Sequence, residues 1–134
     1  MRRLSLGFAL AAGAVAAAPA ASAHHSFAAV FDGDQAVTMT GKVVSVDWAN
    51  PHFHFSIDVT AADGAVTRWR FEGYPPNMLV RQGWRRDVTL ALGATVTVDG
   101  WLAREEPNLG AVRWVTFADG RKLAGGPPAG TGGR

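Results

Sequence analysis

The chain has four histidines, and they fall into two close pairs, His24 with His25 and His52 with His54. Imidazole nitrogens are good donors to copper, nickel and zinc, and two of them at short spacing begin a ligand set. His52 and His54 stand two apart in an alternating stretch. That spacing puts both on one strand face with Cα atoms ~7 Å apart, close enough for both rings to reach one ion. His24 becomes the first residue if the chain is cut after Ala23. An N-terminal histidine offers its α-amine and its ring Nδ1 to the same ion, and a ring from the second pair completes a three-nitrogen set suited to copper. A cut one residue earlier would give Ala-His-His, with His25 in third place, which also chelates Cu(II) or Ni(II). Copper is favoured over zinc because the set is nitrogen-rich and the chain contains no cysteine. An α-amine titrating at about pH 8 is also available at neutral pH. The same residues have a structural reading: His52 can cap a turn after Pro51 or pack on Trp48, and His24 and His25 can be tail residues.

The cut itself is expected from the leader. Arg2 and Arg3 are followed by an apolar run from Leu4 to Ala18, and Ala21-Ser22-Ala23 is a small-residue cleavage site, so residues 1–23 read as a signal peptide. The apolar run is shorter than the ~20 residues that span a bilayer, and no second one follows, so no membrane anchor is expected after cleavage. The mature protein is expected in the periplasm or outside the cell, and the absence of cysteine leaves it to be held by its core alone. With Arg2 and Arg3 removed, Lys plus Arg falls from 13 to 11 and balances the 11 Asp plus Glu. A neutral domain lacks the basic footprint of a nucleic-acid binder, so no nucleic-acid partner is expected.

The elements that must position the histidines are strands. Residues 24–36 read as an N-terminal arm in which Phe27, Val30 and Phe31 can dock on a core, with a turn at Asp32-Gly33-Asp34. The first strand, Val37 to Trp48, changes its apolar phase from Val37, Met39 and Val43 to Val44, Val46 and Trp48, which predicts a bulge near Gly41 to Val44. The second, His52 to Thr60, alternates cleanly, with Phe53, Phe55, Ile57 and Val59 inward. A loop through Ala62-Asp63-Gly64 leads to a third strand, Val66 to Glu72. That register sets Phe55 opposite Phe71, Ile57 opposite Trp69, His54 opposite Glu72, Ser56 opposite Arg70 and Asp58 opposite Arg68. Glu72 would then orient the His54 ring or ligate through oxygen. Pro75 and Pro76 open a short helix that ends before Gly83 and plugs the barrel with Met78 and Leu79. Strands from Thr95 to Ala103 and Ala111 to Phe117 follow, with a further short strand end near Leu123.

Three strands, one helix and two strands make an all-β, five-stranded OB-like Greek-key barrel, with the helix between strands 3 and 4. A β-sandwich would need about seven strands. The barrel domain is expected over residues 37–124. Residues 125–134, with five Gly and two Pro in ten positions, are expected as a disordered tail.

Trp69 and Trp84 belong to the core by position, Trp84 sealing the barrel end. Trp48, Trp101 and Trp114 are candidates for an aromatic ligand surface on which sugars or bases stack, against a reading as ordinary packing. Met39 and Met78 fall on apolar phases and read as core. Arg81, Arg85 and Arg86 form the one basic cluster, as arginines near a helix C-terminus often do. No catalytic motif is recognisable, because the chain has no cysteine nucleophile, no GxSxG, no HExxH and no phosphate loop in a strand-to-helix context.

The mature start HHSFAAVFD, the NPH at Asn50 to His52, the stretch EGYPPNMLVRQGW from Glu72 and the closing TFADGRKL resemble a family of small exported bacterial proteins known as a domain of unknown function. The resemblance implies export and a single domain, and it carries no activity. His24, His25, Ser26, Phe27, Asn50, Pro51 and His52 match the family pattern, and His54 is not carried over from it. The expectation from the residues is a small exported binding module whose partner is a metal ion or an envelope protein. An exported copper oxidase-like enzyme is a third reading.

Overall fold

The computed structural model describes residues 27–127. One helical turn, α1 (Phe27–Val30), leads into a long strand, β1 (Phe31–Asp47). The alternating stretch beyond it folds as a hairpin of β2 (His54–Thr60) and β3 (Val66–Glu72) in the expected register, Phe55 opposite Phe71, Ile57 opposite Trp69 and His54 opposite Glu72. Gly64 closes the hairpin turn with φ 86°, a conformation that costs glycine nothing. β1 pairs with β2 over Lys42–Asp47, and its register slips between Val43 and Ser45, so the bulge lies where the apolar phase changes.

Residues Phe31 to Lys42 of β1 pair with β4 (Thr95–Ala103), which pairs in turn with β5 (Leu109–Phe117), and β5 with β6 (Lys122–Ala124). The first residues of β5 also run parallel to the end of β3, Leu109–Ala111 against Arg70–Glu72. That pairing joins the ends of the order β3-β2-β1-β4-β5, closing five strands into a small OB-like barrel, with β6 added at the open side of β5. α2 (Pro76–Arg81) lies between the third and fourth strands, with proline at its start and Gly83 at φ 91° beyond its end. No helix among the described residues is long and apolar enough to cross a membrane.

Phe53, Phe55, Ile57, Phe71, Leu79, Trp84, Val96, Val98, Val112 and Val115 fill the barrel. Leu79 is buried and Met78 is 37 % exposed, which corrects the expectation that both plug the barrel. Successive helix residues point ~100° apart, so a turn and a half of helix can direct only one of them inward. Met39 is partly buried against the core. Trp84 seals the barrel end and donates its indole N–H to the Ala124 carbonyl at 2.7 Å.

Several boundaries differ from the sequence expectation. The short strand end expected near Leu123 is β6, a sixth strand that joins the sheet beside the five that close the barrel. β2 begins at His54 rather than His52, because beyond the His54–Glu72 pair Phe53 still accepts the Gly73 N–H at 2.8 Å but its own N–H slips to Tyr74 O, at 3.3 Å. β5 begins at Leu109 rather than Ala111 because the parallel pairing with β3 starts there. β1 begins at Phe31, inside the expected arm, because Phe31 pairs with Ala103 before the chain loops out and rejoins β4 at Ala36. In that loop the Asp32 carboxylate accepts the Asp34 N–H at 3.1 Å and the Gln35 amide at 3.0 Å, forming the expected turn.

The arm lies across the outside of the barrel, where Phe27, Val30 and Phe31 cover Trp101, Leu109 and Ala111. Arg104 fastens it, donating from Nε to the Ala28 carbonyl at 2.8 Å and from its backbone N–H to the Val30 carbonyl at 2.9 Å. At the other end, Gly125 and Gly126 are buried, which corrects the expected start of the tail. Gly125 donates to the Arg113 carbonyl at 2.9 Å and accepts the Tyr74 N–H at 2.7 Å. A Cβ on Gly126 would lie 1.9 Å from the Val112 carbonyl oxygen, so only glycine lets the chain dock this closely. Positions 128–134 of the expected tail, and the leader, lie outside the described residues.

Candidate functional site

The β2–β3 hairpin brings His52, His54 and Glu72 together at one end of the barrel. In an antiparallel pair, residues directly opposite and diagonally adjacent on one face touch. His54 is directly opposite Glu72, and His52, one step beyond, reaches the same carboxylate diagonally. Phe53 between them is fully buried and accepts the Gly73 N–H at 2.8 Å, so the two histidines flanking this anchor turn outward. The preceding Asn50–Pro51 bond is cis. His52 Nδ1 is hydrogen-bonded to Glu72 Oε1, and His54 Nε2 lies 3.5 Å from Glu72 Oε2. His52 is about half exposed, at 47 %, while His54 and Glu72 are three-quarters covered or more.

The sequence expectation gave Glu72 to His54, whereas the structure sets it between both rings with its closer contact to His52. With Nδ1 of His52 engaged, its Nε2 has no hydrogen-bond partner among the described residues, and the side chain is 47 % exposed. Among those residues no group of three His, Cys, Asp or Glu side chains is placed to hold a metal ion. His24 and His25 lie outside the described residues.

A cleft of about 190 Å³ opens beside this triad, with His52 and Glu72 at its rim and Phe27, Phe31, Tyr74, Pro75 and Val112 among its walls. Burial pushes the Tyr74 phenol above its ordinary value, which keeps the hydroxyl neutral. Sequence reasoning missed Tyr74 and Phe27 as neighbours of the histidines. Tyr74 was within reach of the register argument, being two past Glu72 in the same phase and therefore opposite His52. Phe27 carried no such signal, since its place depends on the arm folding across β4 and β5.

Further along the same outer face, Asp58 and Arg68 form a bidentate pair at 2.8 and 2.9 Å, and the Arg68 guanidinium holds the Asp58 carboxyl below its usual value. Of the three tryptophans expected as a ligand surface, one is covered and two are partly packed. Trp101 does face outward but is only 6 % exposed, under the edge of Phe27 with ring centroids 5.4 Å apart. The arm took the surface that stacking would have used. Trp48 is half-buried edge-on against Phe53 at 5.3 Å, and Trp114 lies beneath Lys122 Nζ at 5.6 Å.

Residues 12–112 match the family of unknown function DUF6152. The chain belongs to that family. The match runs from the expected leader through the histidine pairs and the hairpin into β5. No curated protein matches the chain. Among solved structures it is similar to the mitochondrial single-stranded DNA-binding protein Rim1 of S. cerevisiae, at 13 % identity over 63 % of this chain and 93 % of that one, with a TM-score of 0.49. It is also similar to the N-terminal domain of PriB from Thermoanaerobacter tencongensis, at 18 % identity over 63 % of this chain and 97 % of that one, with a TM-score of 0.46. Likenesses of this degree carry nothing about what this member of the family binds.

Proposed function

We propose that the protein is an exported binding module that holds one transition-metal ion, copper by preference, at the rim where His52, His54 and Glu72 converge. His24 and His25 complete the site. The observation that supports this reading is that Phe27 lines the same cleft as His52 and Glu72. His25 precedes Phe27 by two residues and His24 by three, so an extended backbone carries them at most ~7 and ~11 Å from it. Glu72 holds His52 by Nδ1, which turns Nε2 outward as the ligand atom, the usual way a carboxylate orients a metal-binding imidazole. The hairpin alone supplies too few ligands, and the α-amine and ring of His24 would add the missing nitrogens. A signal peptide cut after Ala23 creates that amine, which ties export to metal binding.

The test is Cu(II) titration against a competing chelator. His24→Ala and His52→Ala are each expected to weaken binding strongly, and Glu72→Gln by roughly 10- to 100-fold through loss of ring orientation. If His24→Ala and His52→Ala both bind copper like the parent protein, the reading fails. The apolar walls of the cleft favour one second reading, a metal-independent module that takes a small apolar group of an envelope ligand or protein partner. It predicts ligand-dependent changes in tryptophan fluorescence that a chelator leaves intact, and flat responses across peptides and glycans would sink it.

A further inference from the structure

Of the five large apolar side chains exposed among the described residues, four, Met78, Val80, Val88 and Leu92, belong to the connection between β3 and β4, and the fifth, Val66, starts β3. The same connection carries Arg81, Arg85 and Arg86, three of the 11 Lys plus Arg that remain against 11 Asp plus Glu once Arg2 and Arg3 are set aside. Its outer part is a built protrusion. Trp84 and Leu90 are buried and pin its two ends to the barrel. Between them Arg85 N–H donates to Thr89 Oγ1 at 2.7 Å and Thr89 N–H returns to the Arg85 carbonyl at 3.0 Å, closing a tight loop. Asp87 at its tip takes φ 62°, a conformation that aspartate tolerates better than most residues. Gly93 N–H then ties the end of the connection to the Val43 carbonyl at 2.7 Å.

Val88 and Leu92, 68 % and 69 % exposed, are thus held outward by a hydrogen-bonded loop. Arg86 is itself largely exposed, and the acid next to it, Asp87, is 3.8 Å away and more exposed still, a pair too wet to hold the guanidinium. Beside the loop an open groove runs between Arg86, Leu90 and Leu92 on one side and Val46 and the half-buried Trp48 on the other. Apolar tips flanked by arginines, with an indole alongside, match the two layers of a bilayer surface. The guanidinia meet lipid phosphates, and the aliphatic side chains enter the headgroup boundary.

We infer that the loop from Arg85 to Leu92 docks the protein on an anionic phospholipid surface. Charge complementarity selects this occupant, because a neutral partner would leave the arginines unused and a purely anionic one would leave Val88 and Leu92 in water. The inference is independent of the metal site, since none of these residues lies at the histidine rim.

Protein recovered from the producing cells is sedimented with vesicles of phosphatidylglycerol and phosphatidylcholine in equal parts, and with pure phosphatidylcholine. The parent protein should partition onto the anionic vesicles, with an affinity that falls as salt is raised. R85S/R86S should lower it roughly 30-fold. V88S/L92S should lower it about tenfold while keeping the salt dependence. All four positions are exposed, so unchanged circular dichroism confirms that the variants fold. Equal partition onto both vesicle types would overturn the inference. So would parent-like binding by V88S/L92S, which marks a plain anion site, or vesicle-free self-association that V88S/L92S abolishes, which marks a contact between two copies.

Discussion

Trp84→Phe removes a small part of one side chain, yet it cuts the link between the barrel end and the wall of the cleft. The indole is 1 % exposed, donates to the Ala124 carbonyl at 2.7 Å and packs edge-on against Phe53 and Phe117 at centroid distances of 5.5 and 6.3 Å. Phenylalanine has no donor, so the Ala124 carbonyl loses its partner in a water-poor site, at a cost of about 1 to 2 kcal/mol. The missing second ring leaves a partial void, adding about 1 to 2 kcal/mol because the surrounding β-sheet relaxes only in part. A total of about 3 kcal/mol corresponds to a fall in Tm of roughly 12 to 20 °C for a domain of this size. Thermal unfolding followed by circular dichroism measures it. Amide exchange at Gly125 and Tyr74 should accelerate more than elsewhere, because the segment after β6 loses its anchor. A Tm shift below about 5 °C would refute the reasoning.

Gly126→Ala places a Cβ 1.9 Å from the Val112 carbonyl oxygen, so residues 125–127 should lift off the barrel. The expected loss is about 1 to 3 kcal/mol, with faster amide exchange at Tyr74 and Gly125. Arg104→Ala removes the bond to the Ala28 carbonyl and the 3.5 Å contact with Asp32. Proteolysis near α1 should increase, while the Tm, set by the barrel, should fall by no more than a few degrees. The Asp58 carboxyl is held below its ordinary value of 3.8, chiefly by its hydrogen bond from Arg68. A lowered folded value stabilises the fold above the unfolded value and is lost as pH falls through the folded one. Acid unfolding of Asp58→Asn should therefore be less steep below about pH 4 than that of the parent, and identical acid limbs would show that the pair contributes nothing.

The register of the hairpin was legible to the residue, though not the start of its first strand. Two-residue alternation from Phe53 to Val59 leaves only one core-facing choice, and a loop ending in Gly64 fixes the register, so each cross-strand pair followed from the pattern. The bulge was legible for the same reason, because the apolar phase changes between Val43 and Val44. What covers the barrel was not. Gly125 and Gly126 read as coil by composition, yet a Cβ on Gly126 would strike the Val112 carbonyl and one on Gly125 would crowd the Val112 methyls. Phe27 and Phe31 obey no period, so nothing local reveals that they lie over Trp101 and leave that ring useless for stacking. At the rim, the histidine spacing was legible and the opposite-neighbour rule found Glu72, but the diagonal bond to His52 depends on where the ladder stops being regular.

Native mass spectrometry of the protein taken from the envelope fraction without chelators tests the metal site most directly, since one spectrum reports both the first residue and any retained ion. The account predicts a mass that begins at His24 and carries one copper, lost in His52→Ala. A metal-free mass that stays unchanged after copper is added and the sample desalted would contradict it, and the histidines at the rim would then serve the fold alone.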